Sequence, residues 1–350
     1  MIRRNSGCWR SYANLACIAT LWLCIAQHGS SALAVESSQR PSVHYWHLST
    51  GSRIAYLKFA GASSPRPYPI VFLHGGPGAY VVTIERTARV LSQLSKDGFD
   101  VYAYDQLGSG LSERAVDINA YTVSRHVADL EAIRRKIQAD KLILIGSSWG
   151  ATLAARYIER FPRRVDRVIF AGPGALHPAA WRETGYGRVE ERFSAQEREQ
   201  FQSLVNRPDL EKALDLLPTD TAAALRAFPD AEGDRLFDEV TNRFYVPHLG
   251  CQHTKLDVTS AGYGFWANRM TSRDLDASPD PRPALRRSDT KALILRGQCE
   301  YMRRAVAEEY RDVFGSSTLV DVPDAGHMVY WDQPEAFIEA TRRFLSDVRN

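Results

Sequence analysis

The stretch LILIGSSWGATLAARY, residues 142–157, passes from an apolar run through two serines and two glycines into a helical pattern. The apolar run predicts a buried strand, and the spacing after Trp149 predicts a helix. Residues 146–150 lie at the junction and match G-x-S-x-G, the pattern of a nucleophilic serine at a sharp strand-to-helix turn. Small residues on both sides of Ser148 would let neighbouring backbones approach. The alternative interpretation is an ordinary turn.

Short apolar runs on both sides of this motif alternate with helical patterns. Residues 43–60 predict an antiparallel hairpin, and six further runs predict buried strands. Val127, Leu130, Ile133 and Ile137 are three or four residues apart, as one face of a helix requires. Strands that alternate with helices predict an α/β fold, with a mostly parallel eight-stranded sheet covered on both faces.

One interval breaks this alternation. Residues 175–290 contain helix-forming segments and many aromatic residues, without a convincing strand. A loop of that length is uncommon inside a compact domain, so we expect a separate helical cap inserted after the sixth strand. The catalytic core is then divided into residues 35–174 and 291–350.

The first 34 residues predict a signal peptide. They combine three arginines with an apolar run of 12 residues, Leu15–Ala26, and end in SALA, which fits a cleavage site near Ala34. The run is short for a membrane span. An uncleaved N-terminal anchor is the alternative. The chain is therefore expected to be exported to the periplasm or the medium.

Cleavage would change the charge and the cysteine count. Removing three arginines from the 44 basic residues leaves 41, which equals the 41 acidic residues. This balance predicts neither a nucleic-acid partner nor binding to an anionic membrane. Cys251 and Cys299 would remain, and an even pair in an exported protein suggests the hypothesis of a disulfide between them.

A serine nucleophile needs a base and an acid that orients the base. In this architecture the acid and then the histidine follow the serine, at the ends of later strands. His327 follows the last predicted strand and is the expected base, and Glu300 follows the strand before it and is the expected acid. Asp324 is only three residues from the histidine and Asp321 lies within a strand, so both fit less well.

The tetrahedral oxyanion needs backbone N–H donors that are already aimed at it. One should come from Trp149, directly after the nucleophile. The other should come from HGGPG, residues 74–78, with Gly76 as the donor and Gly75 as its neighbour against the substrate. His74 is expected to order this loop by hydrogen bonding rather than to act as a second base.

Three motifs together resemble the proline iminopeptidase family, peptidase family S33 of the α/β-hydrolase superfamily. HGGPG (74–78), DQLGSGLS (105–112) and GSSWGATLA (146–154) are similar to that family's HGGPG, DQRGxGxS and GGSWGSTLA, in the same order. The resemblance covers nearly all of the mature chain. It implies the serine-hydrolase roles given above and a helical cap between the sixth and seventh strands.

The sequence departs from the family in two places. The family acid is usually Asp in a GRxD stretch, whereas GQCE here offers Glu300. Family aminopeptidases also bind the substrate's amino group with cap glutamates, and Thr241 stands where one of these is expected. Glu239 and Glu190 lie nearby but out of register. Of the cap residues, we expect Glu239 and Trp266 to contact the substrate.

These features predict an exported serine hydrolase that cleaves an amide or ester through an acyl-enzyme, as a proline iminopeptidase-like aminopeptidase. The substrate would be a small molecule or short peptide, and no cofactor or metal is expected. The alternative is a carboxylesterase or lipase-like enzyme for small hydrophobic esters. A non-catalytic binding protein with the same fold is a third interpretation, which a complete triad disfavours.

Overall fold

The computed structural model describes residues 41–62, 65–251 and 261–348. The predicted signal peptide lies outside these residues. In the described part, no helix is both long and apolar enough to cross a membrane.

Eight strands form a single sheet in the order β1-β2-β4-β3-β5-β6-β7-β8. The strands are β1 His44–His47, β2 Arg53–Phe59, β3 Ile70–Leu73, β4 Val101–Tyr104, β5 Leu142–Ser148, β6 Val165–Pro173, β7 Lys291–Gly297 and β8 Ser317–Val322. The first two pair antiparallel, as predicted for the hairpin, and β2 pairs antiparallel with β4. All other pairs are parallel, so β3 to β8 share one carboxyl edge.

Twelve α-helices accompany the sheet in the described residues. They are α1 Glu85–Ser95, α2 Val123–Lys136, α3 Trp149–Arg160, α4 Ala195–Val205, α5 Pro208–Leu216, α6 Thr221–Ala227, α7 Asp230–Val240, α8 Phe265–Ala277, α9 Arg282–Leu285, α10 Arg304–Val313, α11 Val329–Asp332 and α12 Pro334–Leu345. Several of these helices contribute to two apolar clusters on opposite faces of the sheet. The central strands β3 and β5 are therefore almost wholly buried, which explains why they are continuous apolar runs.

The two faces are held by different groups of helices. On one face, Phe170 of β6 lies 4.6 Å from Tyr310 of α10, measured between ring centroids. On the other, Phe72 of β3 lies 5.3 Å from Tyr330 of α11. Each fully buried aromatic side chain contributes about 1.5–3 kcal/mol through removal of apolar surface from water.

The long interval between β6 and β7 is helical, as expected. It contains α4 to α9 and a turn of π-helix at Thr241–Tyr245, and its described residues include no strand. The predicted fold, an α/β-hydrolase sheet with a helical cap after strand six, is confirmed. The insertion leaves the sheet at the carboxyl end of β6 and returns to it at the amino end of β7, because these two strands are parallel.

Candidate active site

Ser148 is the residue at which β5 ends and α3 begins. Its backbone has φ 54° and ψ −121°, a left-handed conformation that costs a residue other than glycine about 1–3 kcal/mol. The side chain is partly exposed, whereas the neighbouring Ser147 is fully buried. The corner therefore presents Ser148, and not Ser147, at the carboxyl edge of the sheet.

Glycine is required on both sides of this corner. A Cβ added at Gly146 would lie 2.4 Å from the carbonyl oxygen of Gly150, and one added at Gly150 would lie 2.0 Å from that of Leu73. Both separations are far shorter than a van der Waals contact. The motif glycines thus allow α3 to pack directly onto β3 and β5.

His327 and Glu300 form a buried pair at the same edge. The imidazole Nδ1 lies 2.9 Å from both Oε1 and Oε2 of Glu300, and the two side chains are 4% and 2% exposed. The Glu300 carboxylate also accepts the backbone N–H of Met302 at 3.0 Å. An ionised carboxylate can only accept, so Nδ1 carries the proton and Nε2 is left with a free lone pair. Such an arrangement suits a general base.

The alternative acid lies elsewhere. Asp324 is exposed, and its backbone N–H donates to Gln298 Oε1 at 3.2 Å. Of the two candidates, the structure brings Glu300 to His327. The longer side chain of Glu, compared with the family's Asp, still reaches the imidazole.

Ser148 and His327 are held close through β6. A Cβ at Gly172 would lie 2.2 Å from the His327 carbonyl oxygen, and one at Gly174 would lie 3.2 Å from the Ser148 carbonyl carbon. Among the described hydrogen bonds, none joins Ser148 Oγ to His327 Nε2. Catalytic hydrogen bonds of this kind often tighten only in the complex with substrate.

The HGGPG loop follows β3, directly beside Ser148. A Cβ at Gly75 would lie 3.0 Å from Ser148 Cβ and 3.6 Å from its Oγ, so any larger residue would crowd the Ser148 side chain. Gly76 has φ 108°, which favours glycine. His74 lies within hydrogen-bonding distance of the Gly75 carbonyl oxygen, at 2.9 Å. Burial lowers the pKa of His74 to about 4, which keeps the ring neutral at pH 7.

Asp105, the first residue of the DQLGSGLS motif, connects the segment that follows the HGGPG loop to the loop that follows β4. Its fully buried carboxylate accepts hydrogen bonds from the backbone N–H groups of Val81 at 2.7 Å, Val82 at 2.9 Å and Leu111 at 2.8 Å. Burial raises the pKa of Asp105 to about 6, although these three bonds favour the charged form. The sequence marked this residue only as part of a motif.

The cap contacts the loop that carries Glu300. Cys251 and Cys299 form a disulfide, with Cα atoms 5.1 Å apart, as hypothesised. Arg192 donates to the carbonyl oxygens of Cys299 and His248. Together these contacts attach the residue before Glu300 to two segments of the insertion.

The cap also encloses a cavity of about 620 Å³. Its wall is mainly apolar and includes Phe193, Phe201, Leu236, Val240 and Phe265, with arginines and glutamates among its polar members. Asn268 lines the cavity and donates from Nδ2 to the Pro77 carbonyl oxygen at 2.8 Å. Asn268 therefore connects the cavity to the HGGPG loop, whereas Ser148, Glu300 and His327 are not among the described lining residues.

Two glutamates, Glu190 and Glu191, line this cavity, and the first already has partners. Glu190 lines it, accepts the hydroxyl of Tyr245 at 3.0 Å and lies 3.4 Å from Arg188. Glu239 is half exposed, lies 3.6 Å from Arg243 and is not among the described lining residues.

Two other cap residues also lie outside the cavity lining described by the structure. Thr241, which stands where the family has a glutamate, is buried. Trp266 is fully buried and donates its indole N–H to the Phe228 carbonyl oxygen at 2.9 Å. The structure thus places Trp266 in the interior of the cap.

Within residues 41–62, 65–251 and 261–348, no group of three or more His, Cys, Asp or Glu side chains could hold a metal ion. His248 Nε2 lies 3.0 Å from Glu197 Oε1.

A serine at a strand-to-helix corner, followed along the chain by a carboxylate and a histidine at the ends of later strands, is the arrangement of the α/β hydrolases. Residues 68–334 match the family model described as the alpha/beta hydrolase fold. The chain belongs to this family and is a hydrolase.

Sequence relatives and solved structures refine this assignment. A proline iminopeptidase from Heyndrickxia coagulans is 27% identical over 307 residues, which cover 85% of this chain and 97% of that protein. One from Flavobacterium johnsoniae is 23% identical over 295 residues, covering 80% and 90%. The structure of an esterase from Exiguobacterium antarcticum matches with a TM-score of 0.57 at 16% identity, covering 87% and 100%. The predicted resemblance to proline iminopeptidases is confirmed.

Proposed function

We propose that this protein is a serine hydrolase that cleaves an amide or ester bond through an acyl-enzyme. Ser148 is the nucleophile, His327 the base and Glu300 the acid, and the backbone N–H groups of Gly76 and Trp149 bind the oxyanion. The observation that carries the proposal is the buried Glu300–His327 contact of 2.9 Å at the edge where the Ser148 corner projects.

The proposed reaction proceeds in two similar steps, acylation of the serine and hydrolysis of the acyl-enzyme. His327 Nε2 takes the hydroxyl proton while Ser148 Oγ attacks the substrate carbonyl carbon, and Glu300 stabilises the imidazolium. The oxyanion accepts a hydrogen bond from each of the two backbone N–H groups. Collapse of the tetrahedral intermediate releases the amine or alcohol, which takes the proton from Nε2. Water then attacks the acyl-enzyme in the same way and frees Ser148.

Two substrate classes fit this chemistry. The similarity to proteins named proline iminopeptidases favours an aminopeptidase, whose substrate carries an ammonium group. Taking an ammonium from water into an apolar cavity costs several kcal/mol unless carboxylates meet it. Of the two glutamates that line the cavity, Glu190 already pairs with Arg188, which weakens this compensation. The mainly apolar wall supports the alternative, a carboxylesterase-like enzyme for uncharged hydrophobic acyl groups.

We also propose that the protein is exported, with a small molecule or short peptide as its substrate. The N-terminal pattern and the Cys251–Cys299 disulfide support export, because disulfides persist in oxidising compartments.

The first prediction concerns the nucleophile. Ser148→Ala should abolish covalent labelling by a fluorophosphonate and lower kcat/KM by at least about 10³-fold, because no other hydroxyl is presented at the corner. Ser147→Ala is the matched control and should keep both properties. Labelling that persists in Ser148→Ala and disappears in Ser147→Ala would place the nucleophile at the neighbouring residue.

The second prediction concerns the acid. Glu300→Gln should fold normally and lower kcat by about 10³–10⁴-fold, because the imidazolium loses its partner and the tautomer is no longer fixed. Asp324→Asn serves as the control and should retain nearly full activity. Steady-state kinetics of the two variants decide the assignment, and the reverse result would transfer the role to Asp324.

The third prediction concerns the charge of the substrate. In matched arylamide or ester pairs that differ only by an N-terminal block, the blocked member should be cleaved with a kcat/KM at least equal to that of the free amine. The physical reason is the weakened compensation for a buried ammonium. A strong preference for the free amine, lost in Glu190→Gln or Glu239→Gln, would instead establish the aminopeptidase.

The fourth prediction concerns export. Full-length protein expressed in a bacterial host should be recovered outside the cytoplasm with an N-terminus close to Val35, since the cleavage pattern ends at Ala34. N-terminal sequencing of the recovered protein measures this. A cytoplasmic or membrane-bound product that retains Met1 would contradict it.

A further inference from the structure

Gln106 lies just after β4 and contacts the segments that follow two other strands. It is 2% exposed. Its side-chain Nε2 donates to the His74 carbonyl oxygen at 3.0 Å, and its Oε1 accepts the indole N–H of Trp149 at 2.8 Å. Its backbone N–H reaches Nε2 of the His74 ring at 2.9 Å. One residue therefore touches both segments that carry the proposed oxyanion donors.

The backbone contact fixes the state of His74. Because the Gln106 N–H can only donate, His74 Nε2 must accept, and the ring proton must sit on Nδ1. Nδ1 then donates to the Gly75 carbonyl oxygen at 2.9 Å. The ring is thus neutral and held in a single tautomer.

The direction of the Gly75 carbonyl determines that of the Gly76 N–H. Both belong to one peptide group, which is trans. In a trans peptide the C=O and N–H bonds point in opposite directions. By holding the Gly75 carbonyl, His74 therefore aims the Gly76 N–H away from its own ring, and Gln106 holds His74.

The side-chain contact acts on the second donor. Trp149 is 3% exposed, and Gln106 Oε1 is the acceptor for its indole N–H. The indole belongs to the residue whose own backbone N–H would bind the oxyanion. Fixing the side chain restrains the first residue of α3, directly after the strained Ser148.

We propose that Gln106 is a positioning residue for the oxyanion hole, whose amide sets the separation and direction of the Gly76 and Trp149 N–H groups. This inference rests on the proposed serine-hydrolase function. Two donors on separate segments of the chain stabilise one oxygen only if their relative placement is held closely. An amide is required, because the side chain must donate at one end and accept at the other.

Substitutions at position 106 separate these two contacts. Gln106→Met keeps the length of the side chain and removes both bonds. Gln106→Glu can still accept from Trp149 but, when ionised, cannot donate to His74. Trp149→Phe removes only the indole donor and keeps the backbone N–H. Trp331→Phe is the matched control, since it deletes an equally buried indole bond of 2.8 Å, to Thr87.

The experiment compares kcat and KM for an aryl ester with the Ki of an alkyl trifluoromethyl ketone, which forms a tetrahedral adduct on a serine. Gln106→Met should lower kcat about 10- to 100-fold with KM within about threefold, and should raise Ki by a similar factor. Because Gln106 and Trp149 share one bond, Gln106→Met/Trp149→Phe should be no worse than Gln106→Met. Trp331→Phe should change stability to urea but neither kcat nor Ki.

Fluorophosphonate titration of active sites and urea unfolding accompany each variant, so that a loss of folded protein is not counted as a loss of turnover. Unchanged kcat and Ki in folded Gln106→Met would overturn the proposal, and so would additive losses in the double variant. If Gln106→Met does not fold, Gln106→Glu and Trp149→Phe give the same comparison. A wild-type protein that is not labelled at Ser148 would defeat the proposed function instead, and this inference with it.

Discussion

The left-handed backbone of Ser148 is the constraint on which the rest of the site depends. The conformation is unfavourable for serine, so it persists only because the surrounding structure fixes it. Gly146 and Gly150 allow α3 to approach β3 and β5 so closely that a single methyl group would not fit. Because β5 lies in the middle of a parallel sheet, the loops after β3, β4, β6, β7 and β8 can all reach this corner.

The helical insertion is attached to the core at the points that the proposed mechanism uses. The disulfide and Arg192 connect it to the residue before Glu300. At the HGGPG loop, Asn268 donates to the Pro77 carbonyl oxygen, and the Gly264 N–H donates to that of Gly78 at 2.8 Å. A change in the cap can therefore reach both the loop that carries Glu300 and the HGGPG loop. The cap is a structural support of the site as well as the wall of a cavity.

The insertion is the part of the chain from which we expect selectivity among substrates to arise. The proposed nucleophile, base, acid and oxyanion donors act only on the scissile carbonyl and its leaving group. Selectivity for the rest of the substrate therefore depends on the cap. In relatives named proline iminopeptidases the overall chain is similar. Here threonine stands at one expected acidic position, and Glu190, one of the two glutamates that line the cavity, is paired with Arg188. The charge that an ammonium would meet is thus reduced without any change to Ser148, His327 or Glu300.

The sequence alone determined the order of strands and helices, the Ser148 corner and the insertion after the sixth strand, because periodicity, turn residues and short motifs are local properties of a chain. It also named Glu300 and His327 as candidates, from their places after two strands. Only the tertiary structure brought Glu300 rather than Asp324 to the imidazole, paired Glu190 with Tyr245, and put Gln106 between His74 and Trp149. These contacts join residues 27 to 55 positions apart, so their geometry depends on how the strands and the cap pack in space.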